Sequence, residues 1–209
     1  MIIFMVRHGQ TAGNRDKHYV GTLDEPLCRE GVLSVKAKGR YPAIKKVYTS
    51  SLLRTQETAN LLFPSAELIP VTDFREQYFG DYQGKSFSEI LNDPSCSGHI
   101  RNNYPDSYPN GETSAQVMTR VCRAFEKVLT YEAIAEAQTC VFVVHCGTII
   151  SVMMRYAMEK RGSYYDWNDI GNVCGRKFEI NAALPPSEWL IKEHEIIEDL
   201  SCIQLAYFC

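Results

Sequence analysis

Short apolar runs bounded by turn residues alternate, along this chain of 209 residues, with longer segments of helical spacing. The runs Ile2–Val6, Lys46–Thr49 and Thr139–Val144 have the length and composition of buried strands. The longer segments predict helices at about 29–40, 51–62 and 113–136 and from Gly147 to Tyr156. Strands and helices in alternation favour an α/β fold of three layers, in which helices cover both faces of a largely parallel central sheet.

Two further strands are expected late in the chain, at Gly175–Asn181 and Trp189–Ile197. An irregular insertion at about 83–112, rich in Pro, Gly, Asn, Ser and Tyr, interrupts the regular elements and is typical of a segment that shapes a substrate entrance. The chain has no internal repeat or linker, and 45% of its residues are hydrophobic, enough for one sizeable core. We therefore predict a single domain over residues 1–209.

The charge balance, 22 Lys and Arg against 25 Asp and Glu, provides no overall attraction to nucleic acid. The eight cysteines form no CxxC pair or disulfide framework, which predicts reduced thiols and a cytoplasmic location. The apolar run before Arg7 is too short for a signal peptide and lacks its basic start. No stretch approaches the roughly 18 apolar residues of a membrane span, so we expect no membrane partner.

The first chemically distinctive segment follows the first strand and reads Arg7-His8-Gly9-Gln10-Thr11. It places a cation and an imidazole at the carboxyl end of a strand, where open α/β sheets bind their ligands. Gly9 lets the backbone approach a ligand, and the amides after it, at the start of a short helical turn, can point toward an anion. Taken alone, an Arg-His pair is more often the polar end of a strand than a site.

A second strand ends in the same way, with His145 followed by Cys146 and Gly147 before a helix. Two strands thus bring a histidine to the same edge of the sheet. Phosphoryl transfer through histidine needs one neutral imidazole to attack and other donor groups to hold the charge on the phosphoryl oxygens. Arg54, in the first turn of a predicted helix, adds a cation near a helix N-terminus, although a single helical arginine is usually just solvated.

In their order along the chain, these segments resemble the motifs of the histidine phosphatase superfamily, also called phosphoglycerate mutase-like. Six motifs carry the resemblance, over residues 2 to about 150. They are Arg7–Thr11 with Asn14, Gly21–Leu27, Ser51–Ala59, Arg75-Glu76 with Phe79–Gly84, Pro109–Thr113 and Val144–Gly147. The resemblance implies a phosphoglycerate mutase-like fold.

The resemblance also implies that His8 is the nucleophile that forms phosphohistidine and that Arg7, Arg54 and His145 line the phosphate pocket. Glu76 matches the family's acidic residue, which protonates the leaving oxygen and later activates water. Asp73 and Asp81 are alternatives to Glu76. The candidates for contact with the substrate are Asn14, Gln10, Thr11, Gly21, Cys146 and Gly147.

No cofactor or metal is implied, because the two arginines and His145 take the charge-neutralising role of a metal. For His8 to attack, its ring must be neutral, with the tautomer fixed by a hydrogen bond from its other nitrogen to a carbonyl such as that of Gly9. His18, His99 and His194 show no metal-ligand spacing and are interpreted as loop or surface residues. Four tyrosines could line a substrate cleft or lie on ordinary part-buried surface, and the sequence does not decide between the two: Tyr104, Tyr108, Tyr164 and Tyr165.

Cys146 departs from the family pattern, which has glycine there. It is either a tolerated small residue or a thiol beside the phosphate and open to oxidation. The pair His145-Cys146 also admits a rival mechanism with a cysteine nucleophile, which would need an arginine at position 152. That position is Val152, which weakens the rival.

The stretch from Gln83 to Asn110 contains only Lys85 and Arg101 as fixed cations, whereas mutases of this family have a long basic insertion there. A phosphomonoesterase acting on a small phosphorylated metabolite is therefore favoured over a mutase. Ser107–Thr113 resembles the fructose-2,6-bisphosphatase branch, whereas the length and Gly21–Leu27 are more similar to α-ribazole phosphatases and broad-specificity phosphatases. A phosphate-binding protein without turnover remains a further alternative. A monomer and a homodimer are equally compatible with the sequence.

Overall fold

The computed structural model describes residues 1–92, 100–101, 104–105, 108–159, 167 and 169–206. The strands are β1 (Ile2–Arg7), β2 (Lys46–Thr49), β3 (Glu67–Pro70), β4 (Ile100–Arg101), β5 (Tyr104–Pro105), β6 (Thr139–Val144), β7 (Gly175–Glu179) and β8 (His194–Ile197). The α-helices are α1 (Ala12–Arg15), α2 (Arg29–Ala37), α3 (Leu53–Leu62), α4 (Phe87–Leu91), α5 (Ser114–Ile134), α6 (Cys146–Tyr156) and α7 (Ser201–Ala206). Three short 3-10 turns lie at Thr72–Phe74, Gly80–Tyr82 and Pro186–Glu188.

Six strands form one sheet in the order β3-β2-β6-β1-β7-β8, and β4 and β5 form a separate short ladder. The first four strands of that order are parallel, and β7 and β8 are each antiparallel to the strand before them. β1 is paired with β6 from Ile2 opposite Thr139 to Arg7 opposite Val144. The carboxyl ends of β1 and β6 therefore lie side by side, and the residues that follow each strand meet at one edge of the sheet.

The side chains of β1 alternate between two cores. Ile3 and Met5 belong to the buried cluster formed with α5 and α6, whereas Phe4 and Val6 belong to the cluster formed with α2, α3 and α7. All four are fully buried, as expected for a central strand with helices on both faces. The predicted three-layer α/β/α fold with a largely parallel central sheet is confirmed. No helix in the described part of the chain is long and apolar enough to cross a membrane.

The three early strand predictions and the helix predictions are confirmed, with ends that differ by a few residues. Helix α2 ends at Ala37 rather than at residue 40, because Gly39 has a φ of +100° that a helix cannot continue. The predicted strand Trp189–Ile197 is shorter, since the 3-10 turn at Pro186–Glu188 leads directly into Trp189. Strand β3 was not predicted; its half-exposed pattern and terminal Pro70 are typical of a sheet edge.

Candidate active site

The first residues beyond β1 and β6 are two buried histidines in contact. The His8 amide donates to the carbonyl of Val144 at 3.0 Å, and this bond extends the β1–β6 ladder by one residue. The centroids of the His8 and His145 rings lie 5.0 Å apart, with the planes inclined at 64°. The expectation that two strands bring a histidine to the same edge is therefore met.

His8 has one ring nitrogen on the backbone and the other toward a cation. Its Nδ1 lies 2.7 Å from the carbonyl oxygen of Gly9, the hydrogen bond that the sequence led us to expect. Nδ1 must hold the proton in that contact, which leaves Nε2 with its lone pair. Burial, followed by the charges of Arg54 and Arg7, lowers the pKa of His8 well below its ordinary value, so the ring is neutral at pH 7.

Arg54 occupies the first turn of α3 and is completely buried. Its Nη2 donates to the carbonyl of Gly21 at 2.7 Å, its Nη1 to that of Leu23 at 2.8 Å, and its Nε to Nε2 of His8 at 3.3 Å. Gly21 has a φ of +54°, which favours glycine and aims its carbonyl at the guanidinium. The segment Gly21–Leu27 thus holds the guanidinium beside the His8 ring.

Arg7 lies on the other side of His8 and is tied to the late part of the chain. Its Nη1 donates to the carbonyl of Ile170 at 2.8 Å, and its buried Nε has no hydrogen-bond partner among the described residues. Asn172 donates from Nδ2 to the carbonyl of His8 at 2.9 Å. The late part of the chain is thus bonded both to the side chain of Arg7 and to the main chain of His8.

His145 is the N-cap residue of α6 and is completely buried. Its Nε2 lies 2.7 Å from the hydroxyl of Ser50, a contact that sequence reasoning missed, and its Nδ1 has no hydrogen-bond partner within the described ranges. Burial, together with the nearby Arg54 and His8, lowers the pKa of His145 well below its usual range. The helix N-terminus beside it favours an anion.

Glu76 lies in an irregular segment between two 3-10 turns. Its Oε1 accepts from the Gln77 amide at 2.9 Å, and its Oε2 lies 3.4 Å from the Gly147 amide at the start of α6. The carboxyl group thus lies beside the α6 N-terminus, and Glu76 lines the same cavity as His8. Asp73 and Asp81, its alternatives, are exposed and do not line this cavity.

A cavity of about 230 Å³ opens at this edge of the sheet. Eight of the predicted site residues line it: Arg7, His8, Asn14, Gly21, Arg54, Glu76, Cys146 and Gly147. His145 lies behind the cavity, in ring contact with His8. Gln10 and Thr11 are not among the lining residues. Thr11 is instead the N-cap of α1, in a capping box with Asn14.

Three aromatic side chains that pack together, Tyr19, Phe79 and Tyr108, form one wall of the cavity, which was only partly predicted. The other lining residues are His18, Val20, Gln77 and Ile150. His18, interpreted from the sequence as a loop or surface residue, is half-buried and lines the cavity. Tyr108, at the end of the predicted insertion, packs against Tyr19 and Phe79 with ring centroids 6.0 and 4.8 Å away.

Part of the insertion at 83–112 lies outside the described residues, as do His99, Tyr164, Tyr165 and the side chain of Tyr104. Two of its described residues, Ile90 and Tyr108, form a small buried cluster with Tyr82 beside the cavity. His194 is the first residue of β8, and its Nδ1 lies 2.7 Å from Nη1 of Arg176.

Cys146 is the first residue of α6 and is 8% exposed. Burial raises the pKa of its thiol to about 11, so the group is protonated at pH 7. A protonated thiol is a poor nucleophile, which argues against the cysteine mechanism and favours the interpretation of Cys146 as a tolerated small residue. Within the described ranges, no group of three or more His, Cys, Asp or Glu residues could hold a metal ion.

The chain belongs to the histidine phosphatase superfamily (branch 1), whose sequence profile matches residues 3–188. It is 29% identical over 175 residues to a probable phosphatase of Schizosaccharomyces pombe, across 79% of this chain and 78% of that protein. It is 28% identical over 186 residues to the 2,3-bisphosphoglycerate-dependent phosphoglycerate mutase of Bifidobacterium longum, across 72% of this chain and 75% of that protein.

The α-ribazole phosphatase of Shigella flexneri has the same fold, with a TM-score of 0.68 and 21% identity, across 87% of this chain and 91% of that structure. These comparisons confirm the predicted family resemblance and the phosphoglycerate mutase-like fold. They also confirm the predicted class, a histidine-dependent phosphatase.

Proposed function

We propose that this chain is a phosphomonoesterase that hydrolyses a small phosphorylated metabolite through a phosphohistidine on His8. One observation carries the proposal. The neutral ring of His8 keeps Nε2 unprotonated at a cavity that Arg7 and Arg54 also line. A neutral imidazole is the attacking form, and two guanidiniums stabilise the charge on the three phosphoryl oxygens.

In the first half of the reaction, Nε2 of His8 attacks phosphorus, the N–P bond forms, and the bond from phosphorus to the ester oxygen breaks. Glu76 gives its proton to that oxygen, which leaves as an alcohol. The proton stays on Nδ1, hydrogen-bonded to the carbonyl of Gly9, so this carbonyl stabilises the positive charge on the phosphorylated ring. The attack requires the phosphoryl group to replace the hydrogen bond from Arg54 at Nε2.

In the second half, the carboxylate of Glu76 takes a proton from water, and the water oxygen attacks phosphorus. The N–P bond breaks, the electron pair returns to Nε2, and inorganic phosphate leaves. Arg7 and Arg54 hold the same oxygens in both halves, while the N-terminus of α6 favours negative charge at this end of the cavity.

Hydrolysis is favoured over a mutase reaction by the charge of the cavity. Apart from Arg7 and Arg54, its described lining has no arginine or lysine that could hold a second phosphate. Lys85 is not a lining residue; its Nζ lies 6.0 Å from the Tyr82 ring centroid. A site that binds one phosphate loses a bisphosphorylated intermediate to water. The aromatic wall favours a compact ester with an apolar or flat face.

The test is to trap ³²P-labelled phosphate on the protein in acid-labile form from a panel of phosphomonoesters. The panel includes α-ribazole phosphate, 3-phosphoglycerate and fructose bisphosphates, each assayed with and without a chelator. We expect label on the parent and on Cys146→Ser, none on His8→Ala, and full turnover in the chelator. Interconversion of phosphoglycerates faster than phosphate release would refute the phosphatase, and an unlabelled parent would indicate a binding protein.

A further inference from the structure

Arg120, on α5, uses every N–H group of its guanidinium, three of them on the segment that carries Glu76 and two on the carboxylate of Glu112. Its Nη1 donates to the carbonyls of Asp73 and Arg75, both at 2.8 Å, and its Nη2 donates to the carbonyl of Glu76 at 3.0 Å. The Nε and the second Nη2 hydrogen go to the two carboxylate oxygens of Glu112, each at 2.8 Å. A guanidinium has five such donors, and all five are satisfied.

Glu112 extends the contact to the other side of Glu76. Its Oε2 accepts from the Tyr78 amide at 2.9 Å, and its carbonyl accepts from the side chain of Gln77 at 2.7 Å. Its Oε1 also accepts from Arg75 at 2.9 Å. Burial raises the pKa of the Glu112 carboxyl, but the bonds from Arg120 and the Tyr78 amide and the nearby arginine charges outweigh it and hold that pKa below its ordinary value.

The segment needs such support because it has no regular structure of its own. Glu76 lies between the 3-10 turns at Thr72–Phe74 and Gly80–Tyr82, where no helix or strand ladder fixes the main chain. Arg120 is largely shielded from solvent, with 12% of its side chain exposed, so its bonds are stronger than those of a solvated arginine. Its hydrogen bond to Glu76 goes to the main-chain carbonyl and not to the carboxyl group, and Arg120 is not among the described residues that line the cavity.

We propose that Arg120 is a positioning residue for Glu76: together with Glu112 it fixes the main chain so that the Glu76 carboxyl meets the leaving oxygen. The inference rests on the proposed role of Glu76 as general acid. A displaced general acid slows the departure of a basic alkoxide far more than that of a weakly basic phenolate, which leaves without a proton. A loss of Arg120 that merely loosened the fold would slow both reactions alike.

The experiment measures kcat/KM, which reports the steps up to release of the alcohol, for 4-nitrophenyl phosphate and for an alkyl phosphate such as benzyl phosphate. For Arg120→Met we expect a loss of at least about tenfold on the alkyl ester and less than about threefold on the nitrophenyl ester. Arg120→Lys keeps the charge but loses the planar set of guanidinium donors, so its loss should also be larger on the alkyl ester than on the nitrophenyl ester. It provides a second test should the methionine variant be unstable.

Two controls separate the possible failures. Arg123→Met makes the same change at an exposed residue of the same helix and should leave both rates unchanged. Glu76→Gln should show the alkyl-selective loss, and Arg120→Met added to it should cause little further loss. Equal losses on both esters for the Arg120 variants, beside a selective Glu76→Gln, would overturn the positioning role alone. A Glu76→Gln variant without selectivity would overturn the general acid and the positioning role together.

Discussion

Nε of Arg54 lies 3.3 Å from Nε2 of His8 and donates a hydrogen bond to the nitrogen that attacks in the proposed mechanism. Two further hydrogen bonds, from its Nη atoms to the carbonyls of Gly21 and Leu23, hold the guanidinium beside that nitrogen. In the proposed reaction the phosphoryl group replaces the bond between Arg54 and His8, and the guanidinium then binds its oxygens.

Replacement of Arg54 with lysine should lower kcat/KM by about 100-fold or more, the range found when one preorganised donor is removed from an active site. An ammonium group cannot bond two carbonyls and Nε2 in one plane. The assay is steady-state hydrolysis of 4-nitrophenyl phosphate, with Arg40→Lys, at an exposed arginine, as the matched control. Parent-like kinetics for the Arg54 variant would contradict the role given to it.

Gly21→Ala should impair activity through Arg54. With a φ of +54°, the new Cβ would lie 2.5 Å from Oε1 of Gln83 and 2.8 Å from the carbonyl of Gln77, so the main chain or these neighbours must shift, and we expect the Gly21 carbonyl to shift with them. Gly84→Ala is the control, since its φ is +78° but the nearest atom is 3.6 Å away. Both variants should lose about 1 kcal/mol of stability through backbone strain. Only Gly21→Ala should lose turnover. Equal turnover in the two variants would refute the idea that Gly21 affects activity through Arg54.

Asn172→Ala removes the side-chain bond to the His8 carbonyl. Since this bond fixes the main chain of the nucleophile, we expect kcat to fall by about tenfold with little change in KM. Asn181→Ala also removes a side-chain bond to the main chain, at an exposed turn, and serves as the comparison. A fall in thermal stability without a change in kcat would show that Asn172 supports only the fold.

The two buried histidines should make the protein less stable as the pH falls. Burial lowers the pKa of His8 and of His145 in the folded state, whereas the unfolded chain titrates near 6.5. Their contribution to stability is complete above about pH 6.5 and is lost below it, until the depressed folded pKa is reached. At pH 5.5 the loss is up to about 1.4 kcal/mol for each histidine.

Urea unfolding at pH 7.5 and pH 5.5 checks this expectation. The parent should lose more stability between the two pH values than His145→Asn, which has no imidazole to protonate at that position. An identical loss in parent and variant would show that His145 binds a proton equally well in the folded and unfolded chain.

The position of the two histidines at one edge of the sheet was predictable, because His145 directly follows an apolar run, His8 follows another after Arg7, and parallel strands end at one edge of a sheet. The residues that hold these histidines in place were not predictable, because Ser50 and Asn172 each reach a histidine through a single hydrogen bond across a long distance in sequence. Arg120 bonds mainly to carbonyls, which have no sequence signature. His18 looked like a loop residue because its role depends on a cavity wall that only the folded chain creates.

The pairing of β1 with β6 and β7 also determines how late in synthesis the central sheet can form. Strand β1 has both of its neighbours more than 130 residues downstream, since Ile2 is opposite Thr139 and Glu179. Contacts so distant in sequence form slowly. His8, Arg54 and Glu76 all precede His145 in the chain, so during synthesis the cavity that they line cannot be complete before β6 enters between β2 and β1.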